Sequence, residues 1–104
     1  MLRGQGRDAM YWVETARTGY ADRVVAIRSW VCELGRQIAH DALTIEIDNG
    51  PMALIRTSHT VKMTGRAGEE TVVLTKEEFL NEYDLFERNA APRLRAAVER
   101  LRIK

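Results

Sequence analysis

Two histidines, one cysteine and a set of arginines near the C-terminus are the residues of this chain whose types could do chemistry. His40 is followed directly by Asp41. Adjacent His and Asp can share a metal ion in larger phosphohydrolase folds, but there further ligands arrive from other helices. Here the remaining candidates are His59 and Glu46, and a His40/Asp41/His59/Glu46 set is the one metal arrangement on offer. The simpler expectation is that His40 ends a helix, where a partly positive imidazole suits the dipole. His59 falls on the mostly apolar face of a strand pattern. A histidine bonded to Thr57 or to the backbone is expected there, with a pocket or general base as the alternative.

Cys32 lies on the flank of a helical stripe, whereas a reactive thiolate needs an electropositive, accessible setting. A lone cysteine also excludes an internal disulfide. Gly65-Arg66-Ala67-Gly68 precedes a strand instead of following one, so it is not a phosphate loop at a helix N-terminus. No catalytic residue, metal or cofactor is assigned.

The arginines belong to a charge pattern that reverses at Pro92. From Ala67 to Ala91 seven acids face two bases, a net of −5, and from Pro92 to Lys104 five bases face Glu99, a net of +4. Arg93, Arg95, Arg100 and Arg102 are the candidate contacts for phosphate or an acidic partner. No aromatic is interleaved to stack on bases, and no second helix stands at helix-turn-helix spacing. The opposite side of the segment, Leu94, Ala97, Val98 and Leu101, must pack on something. Two copies pairing isologously would set acidic and basic halves against each other across a twofold axis. Trp12, Trp30, Tyr83, Phe86, Leu94 and Leu101 are the candidate interface residues, since aromatics are enriched at interfaces.

These residues must be held by regular elements. Tyr20, Val24, Ile27, Val31, Leu34 and Ile38 recur at helical spacing, with Trp30 at the edge of the stripe, and predict a helix over about 20–40. Ala9, Trp12, Val13 and Ala16 continue its phase upstream, but Gly19 costs roughly 1 kcal/mol relative to alanine. Whether the helix crosses it stays open. The period then becomes two: Leu43, Ile45 and Ile47 alternate with Thr44, Glu46 and Asp48. Asp48-Asn49-Gly50-Pro51 carries turn chemistry. The return places Ala53, Ile55, Thr57, His59, Val61 and Met63 on one face, as one strand or two with a kink near Ser58. Thr71–Leu74 predicts a third strand.

Thr75-Lys76-Glu77-Glu78 is a capping box, a threonine followed three residues later by glutamate. It opens a helix carrying Phe79, Tyr83, Phe86, Ala90, Leu94, Ala97 and Leu101 on one stripe. Pro92 would kink that helix, since it lacks an N–H and crowds the carbonyl of Arg88.

The expected architecture is an α+β two-layer sandwich in the order α-β-β-β-α, a three-stranded antiparallel meander covered on one face by two helices. The 104 residues suit one small domain over 8–104, with 1–7 as a mobile tail. A net charge of +1 argues against a uniformly basic nucleic-acid surface. Thirteen arginines against three lysines is a bias that accompanies GC-rich bacterial genomes. The absence of a signal-peptide core and of a membrane-length apolar run points to a soluble cytoplasmic chain without membrane contact. The leading expectation is a non-catalytic association module, pairing with itself as a homodimer or with another protein. Next comes a nucleic-acid-associated regulator using the four arginines, and third a ligand-binding domain or enzyme centred on His59 and His40.

Overall fold

The computed structural model describes residues 8–48 and 58–103. The expected tail, the Asn49-Gly50-Pro51 turn and the strand residues before Ser58 lie outside them. Helix α1 runs Asp8–Leu34, so its upstream turns do continue across Gly19. That glycine lies in open space, with no atom within 4 Å of where a Cβ would stand. Ile27, Val31 and Leu34 bury the predicted stripe, while Arg28 and Glu33 are exposed.

The helix closes through a π-helical turn, Gly35–Ala39, capped by His40 at φ 58°. The amides of His40 and Asp41 both donate to the Gly35 carbonyl, so His40 occupies the left-handed site where helices usually place glycine. Gly35 itself is required by close approach: a Cβ there would stand 2.8 Å from Leu43 Cγ and 3.1 Å from the Asp41 carbonyl oxygen.

Strands β1 (Thr44–Ile47), β2 (Ser58–Gly65) and β3 (Gly68–Thr75) form an antiparallel sheet in that spatial order. Ile47 pairs with Val61, Val61 with Val72, and Gly65 with Gly68 across a tight turn. Alternation then does the sorting. Ile45, Ile47, His59, Val61, Met63, Val72 and Leu74 are buried on one face. Glu46, Lys62 and Glu69 stand on the other, the lysine 3.8 and 3.7 Å from the two carboxylates. Among the described residues the helices pack on the first face, in an α+β arrangement. Among the described residues no helix is long and apolar enough to cross a membrane.

The C-terminal third departs from expectation. The capping box forms: Thr75 Oγ1 accepts from the Glu78 amide at 3.1 Å, and Glu78 Oε1 accepts from the Thr75 amide at 2.9 Å. Yet α2, the helix it opens, is the single turn Lys76–Phe79. Asn81, Tyr83 and Asp84 then take left-handed φ of 60°, 54° and 60° around a 3₁₀ turn, Glu82–Asp84. Asn81 tolerates that conformation and uses its side chain, Oδ1 accepting from the amides of Phe86 (2.9 Å) and Glu87 (3.4 Å). It therefore stops one helix and caps the next.

A π-helical turn, Phe86–Ala90, leads directly into α3, Ala91–Arg100. Pro92 sits in the first turn of α3, where its missing N–H falls beside a ladder already interrupted by the π turn. The expected break at Pro92 is thus displaced to residues 80–85. Phe79 and Phe86 keep their places in the core, as do Ala90, Leu94, Ala97 and Leu101, but Tyr83 leaves the stripe and is 84% exposed.

Candidate functional site

His59 is buried, and among the described residues its side-chain partner is Asp48; the expected partner Thr57 lies outside them. Its Nδ1 lies 2.5 Å from Asp48 Oδ2, with 3% and 0% of the two side chains exposed. The same carboxyl oxygen accepts from Tyr20 Oη at 3.1 Å, and Oδ1 accepts from the Thr60 amide at 2.8 Å. The carboxylate is saturated by donors from a helix and a strand. The imidazole stacks on Phe79 with ring centres 4.3 Å apart, and Tyr20 stacks on the same phenylalanine at 5.3 Å.

Binding through Nδ1 makes Nε2 the ring nitrogen left for other work. This is the orienting half of an acid–histidine–nucleophile set. Among the described residues no hydroxyl or thiol of Ser, Thr or Cys bonds to His59. Cys32 is half-buried elsewhere, its thiol 3.9 Å from the Leu43 carbonyl oxygen. The sequence placed Asp48 on the polar face of the first strand and in the turn after it, whereas the structure buries it at 8% exposed. The signal that could have found it is its place: the first residue after β1, opposite the start of β2.

The His40/Asp41/His59/Glu46 set is not assembled. His40 precedes Thr44, which pairs with Thr64, five residues along β2 from His59. At about 3.3 Å per residue His59 lies roughly 17 Å from Thr64, whereas Asp41, next to His40, reaches the Arg66 amide beyond that end of β2. Glu46 faces the other side of the sheet from His59. Asp41 is occupied in bracing the β2–β3 turn. Its Oδ2 accepts from the Arg66 amide at 2.8 Å, and that bond above all holds its carboxyl below the usual range. Among the described residues no three ligand-type side chains are grouped to hold a metal.

The arginine set divides in two. Arg93 Nη2 donates to Glu78 Oε1 at 2.6 Å, Nη1 to the Val73 carbonyl at 2.8 Å and Nε to the Asn89 carbonyl at 3.2 Å. It ties the capping box to α3 and covers a free carbonyl on the edge of β3. Burial pushes the Glu78 carboxyl up, but the Thr75 amide and the Arg93 guanidinium outweigh it, and the net displacement is downward. Arg100 pairs with Glu70 at 2.9 Å. Much of the charge reversal is therefore consumed inside the chain. Arg95 and Arg102 are exposed and make no ion pair among the described residues.

The candidate interface residues divide as well. Leu94 and Leu101 are 0% and 2% exposed in the chain's own core, and Phe86 is buried at 8%, so none of the three is open to a partner. Trp30 stays half-buried, edge-on to Phe86 at 5.6 Å. Trp12 lies on α1, its side chain outside the described residues.

Two grooves flank the start of α3. One, of about 310 Å³, lies against α1 and is lined by Arg23, Ala26, Ile27, Trp30, Phe86 and Ala91, with Asn81 and Glu87. Arg23 closes its end, donating from Nε to the Phe79 carbonyl at 2.8 Å and covering the Phe86 ring at 5.0 Å. Burial lowers the pKa of that guanidinium against the field of Glu87. The second groove, of about 320 Å³, runs along the outer side of α3 past Pro92, Arg95, Ala96 and Glu99. Glu87 and Ala91 line both, so the ridge they share with Arg95 stands between the two.

Comparison of the chain with protein-family models, with curated proteins and with solved structures finds no match in any of the three.

Proposed function

We propose that this chain is a self-associating module, pairing with a second copy through the Glu87–Ala91–Arg95 ridge and the grooves beside it. The observation that carries the reading is the spacing of charge on that ridge. Glu87 stands four residues before Ala91 and Arg95 four after, with the Trp30–Phe86 groove on one side and a groove of mixed lining, Pro92 and Ala96 beside Glu99, on the other. Two such ridges laid antiparallel about a twofold axis near Ala91 bring Glu87 of each copy to Arg95 of the other, an isologous arrangement. The small side chain of Ala91 allows the backbones to approach at the axis.

Each exposed ion pair contributes only about 0–1 kcal/mol, so the charges set register and orientation. Affinity comes from covering the edge of Trp30, Ala26, Pro92 and Ala96, at roughly 25 cal/mol per Å² of apolar surface before the cost of association. Sedimentation equilibrium over rising protein concentration is the test. A reversible monomer–dimer equilibrium is expected. Arg95→Glu should weaken it about tenfold, equivalent to ~1.4 kcal/mol. The exchange Glu87→Arg with Arg95→Glu should restore it, because the swapped ridge is self-complementary again. A monomer at the highest soluble concentration overturns the reading.

A further inference from the structure

We propose that the groove between α1 and the start of α3 binds a free aromatic amino acid, its carboxylate held by Arg23, its ammonium by Glu87 and its ring against Trp30. The proposal goes beyond self-association, and every residue it uses belongs to one copy of the chain.

Arg23 carries the argument. Its Nε donates to the Phe79 carbonyl at 2.8 Å, and its guanidinium carbon lies 5.0 Å from the centre of the Phe86 ring. Those two contacts fix the plane of the guanidinium and use only one of its N–H groups. Among the described residues neither Nη makes a hydrogen bond or an ion pair. Together the two Nη atoms form the end of the fork, whose spacing matches the two oxygens of a carboxylate. Arg93 shows the contrast, since its Nε and both its Nη are bonded within the chain. Burial lowers the pKa of Arg23, as expected of a half-buried cation whose donors lack a partner.

A simple anion would be poorly served, because Glu87 lines the same groove. Its field reaches Arg23, yet among the described residues no ion pair joins the two. A cation and an anion that sense each other across a groove without touching leave space for a ligand carrying both charges in the opposite order. Glu87 is exposed, and its one described bond is long, 3.5 Å from the Asn81 side-chain amide, so the carboxylate can accept from an ammonium. The rest of the lining is largely apolar: Ala26, Ile27, Trp30 and Phe86, with Trp30 edge-on to Phe86 at 5.6 Å. A volume of about 310 Å³ suits a ligand of amino-acid size. An aromatic side chain on a carbon that bears both an ammonium and a carboxylate satisfies the cation, the anion and the apolar wall together. A peptide terminus offers only one of the two charges.

The test is calorimetric titration of the dilute chain with L-phenylalanine at about pH 6, where α-amino groups are charged. N-acetyl-L-phenylalanine and L-phenylalanine amide serve as probes lacking the ammonium and the carboxylate. L-Phenylalanine should bind with a dissociation constant of about 1 mM or below, and each probe about tenfold more weakly. Arg23→Lys keeps the charge but loses the two-pronged contact, and should weaken L-phenylalanine about tenfold. Glu87→Gln, at an exposed position, should bring L-phenylalanine down to the level of the N-acetyl probe. Ala26→Phe, exposed on α1, fills the groove and should abolish binding. The proposal is overturned if L-phenylalanine does not bind up to its solubility limit, if the N-acetyl probe binds equally well, or if binding survives Ala26→Phe. Sedimentation of the same chain reads self-association separately, so either reading can fail alone.

Discussion

Asp48 and His59 bring an acid and a base together with almost none of either side chain exposed, whereas Glu87 and Arg95 stand on the outside of the C-terminal helix. The buried pair is completed by Tyr20 and the Thr60 amide, so its carboxylate has donors on both oxygens. Its contribution is to stability, because removing the carboxylate leaves the buried imidazole without its Nδ1 partner, and removing the imidazole takes one donor from a buried carboxylate. Glu87 and Arg95 are exposed and make no ion pair with each other, and the Glu87 carboxylate accepts a long 3.5 Å bond from the Asn81 side-chain amide. Between the extremes lies Glu78–Arg93, where a carboxylate with 11% of its side chain exposed meets a guanidinium with 45%. Burial, more than residue type, sorts the polar groups of this chain into those that hold the fold and those that can recognise something.

The contrast breaks most directly at the buried end. Asp48→Ala should cost about 3–5 kcal/mol, read from urea unfolding, because it leaves the buried imidazole without its Nδ1 partner and removes the acceptor of the Thr60 amide. A loss under about 1 kcal/mol would mean that water reaches the pair. Glu78→Gln tests the middle of the range. The Glu78 carboxyl is held below its ordinary value, so the stability it confers is fully present above the unfolded carboxyl pKa of about 4.3 and fades as pH falls through the lower folded value. The substitution should remove about 1–2 kcal/mol at neutral pH, discounted for the half-exposed arginine. It should also flatten the acid limb of the stability profile, and an unchanged limb would assign that limb to other carboxylates. Gly19→Ala should raise stability by up to about 1 kcal/mol, since the site is helical with open space around it. A loss there would show that α1 is not helical at this point in solution. Arg95→Glu should move monomer stability by less than about 0.5 kcal/mol while weakening association, which separates the two regions in one protein.

Local signals were readable where the interaction they describe is itself local. The Thr75–Glu78 box spans four residues and formed as read, and the alternation of β1 and β2 identified the buried face of each strand. The break at residues 80–85 was not readable. The periodicity of Phe79, Tyr83 and Phe86 fits one continuous helix, and nothing in a one-dimensional pattern marks Asn81 as left-handed or as the cap for Phe86 and Glu87. Pro92, the obvious breaker, proved compatible with a helix start because the π turn before it had already opened the ladder. His59 was assigned correctly to the buried face, but its bond to Asp48 was not foreseen, since it joins the residue after β1 to a residue of β2.

Outside residues 80–85, the sequence by itself determined which described segments are helix or strand and which side of each is buried, because periodicity and caps act over a few residues. It also carried the reversal of charge along the last third of the chain. Only the tertiary structure decided how that charge was spent: Arg93 on Glu78 and Arg100 on Glu70, with Glu87 and Arg95 left at the surface. The reason is distance. A salt bridge or a buried hydrogen bond depends on which side chains the fold brings within about 3 Å, and residues far apart in the chain acquire that proximity only when the layers pack.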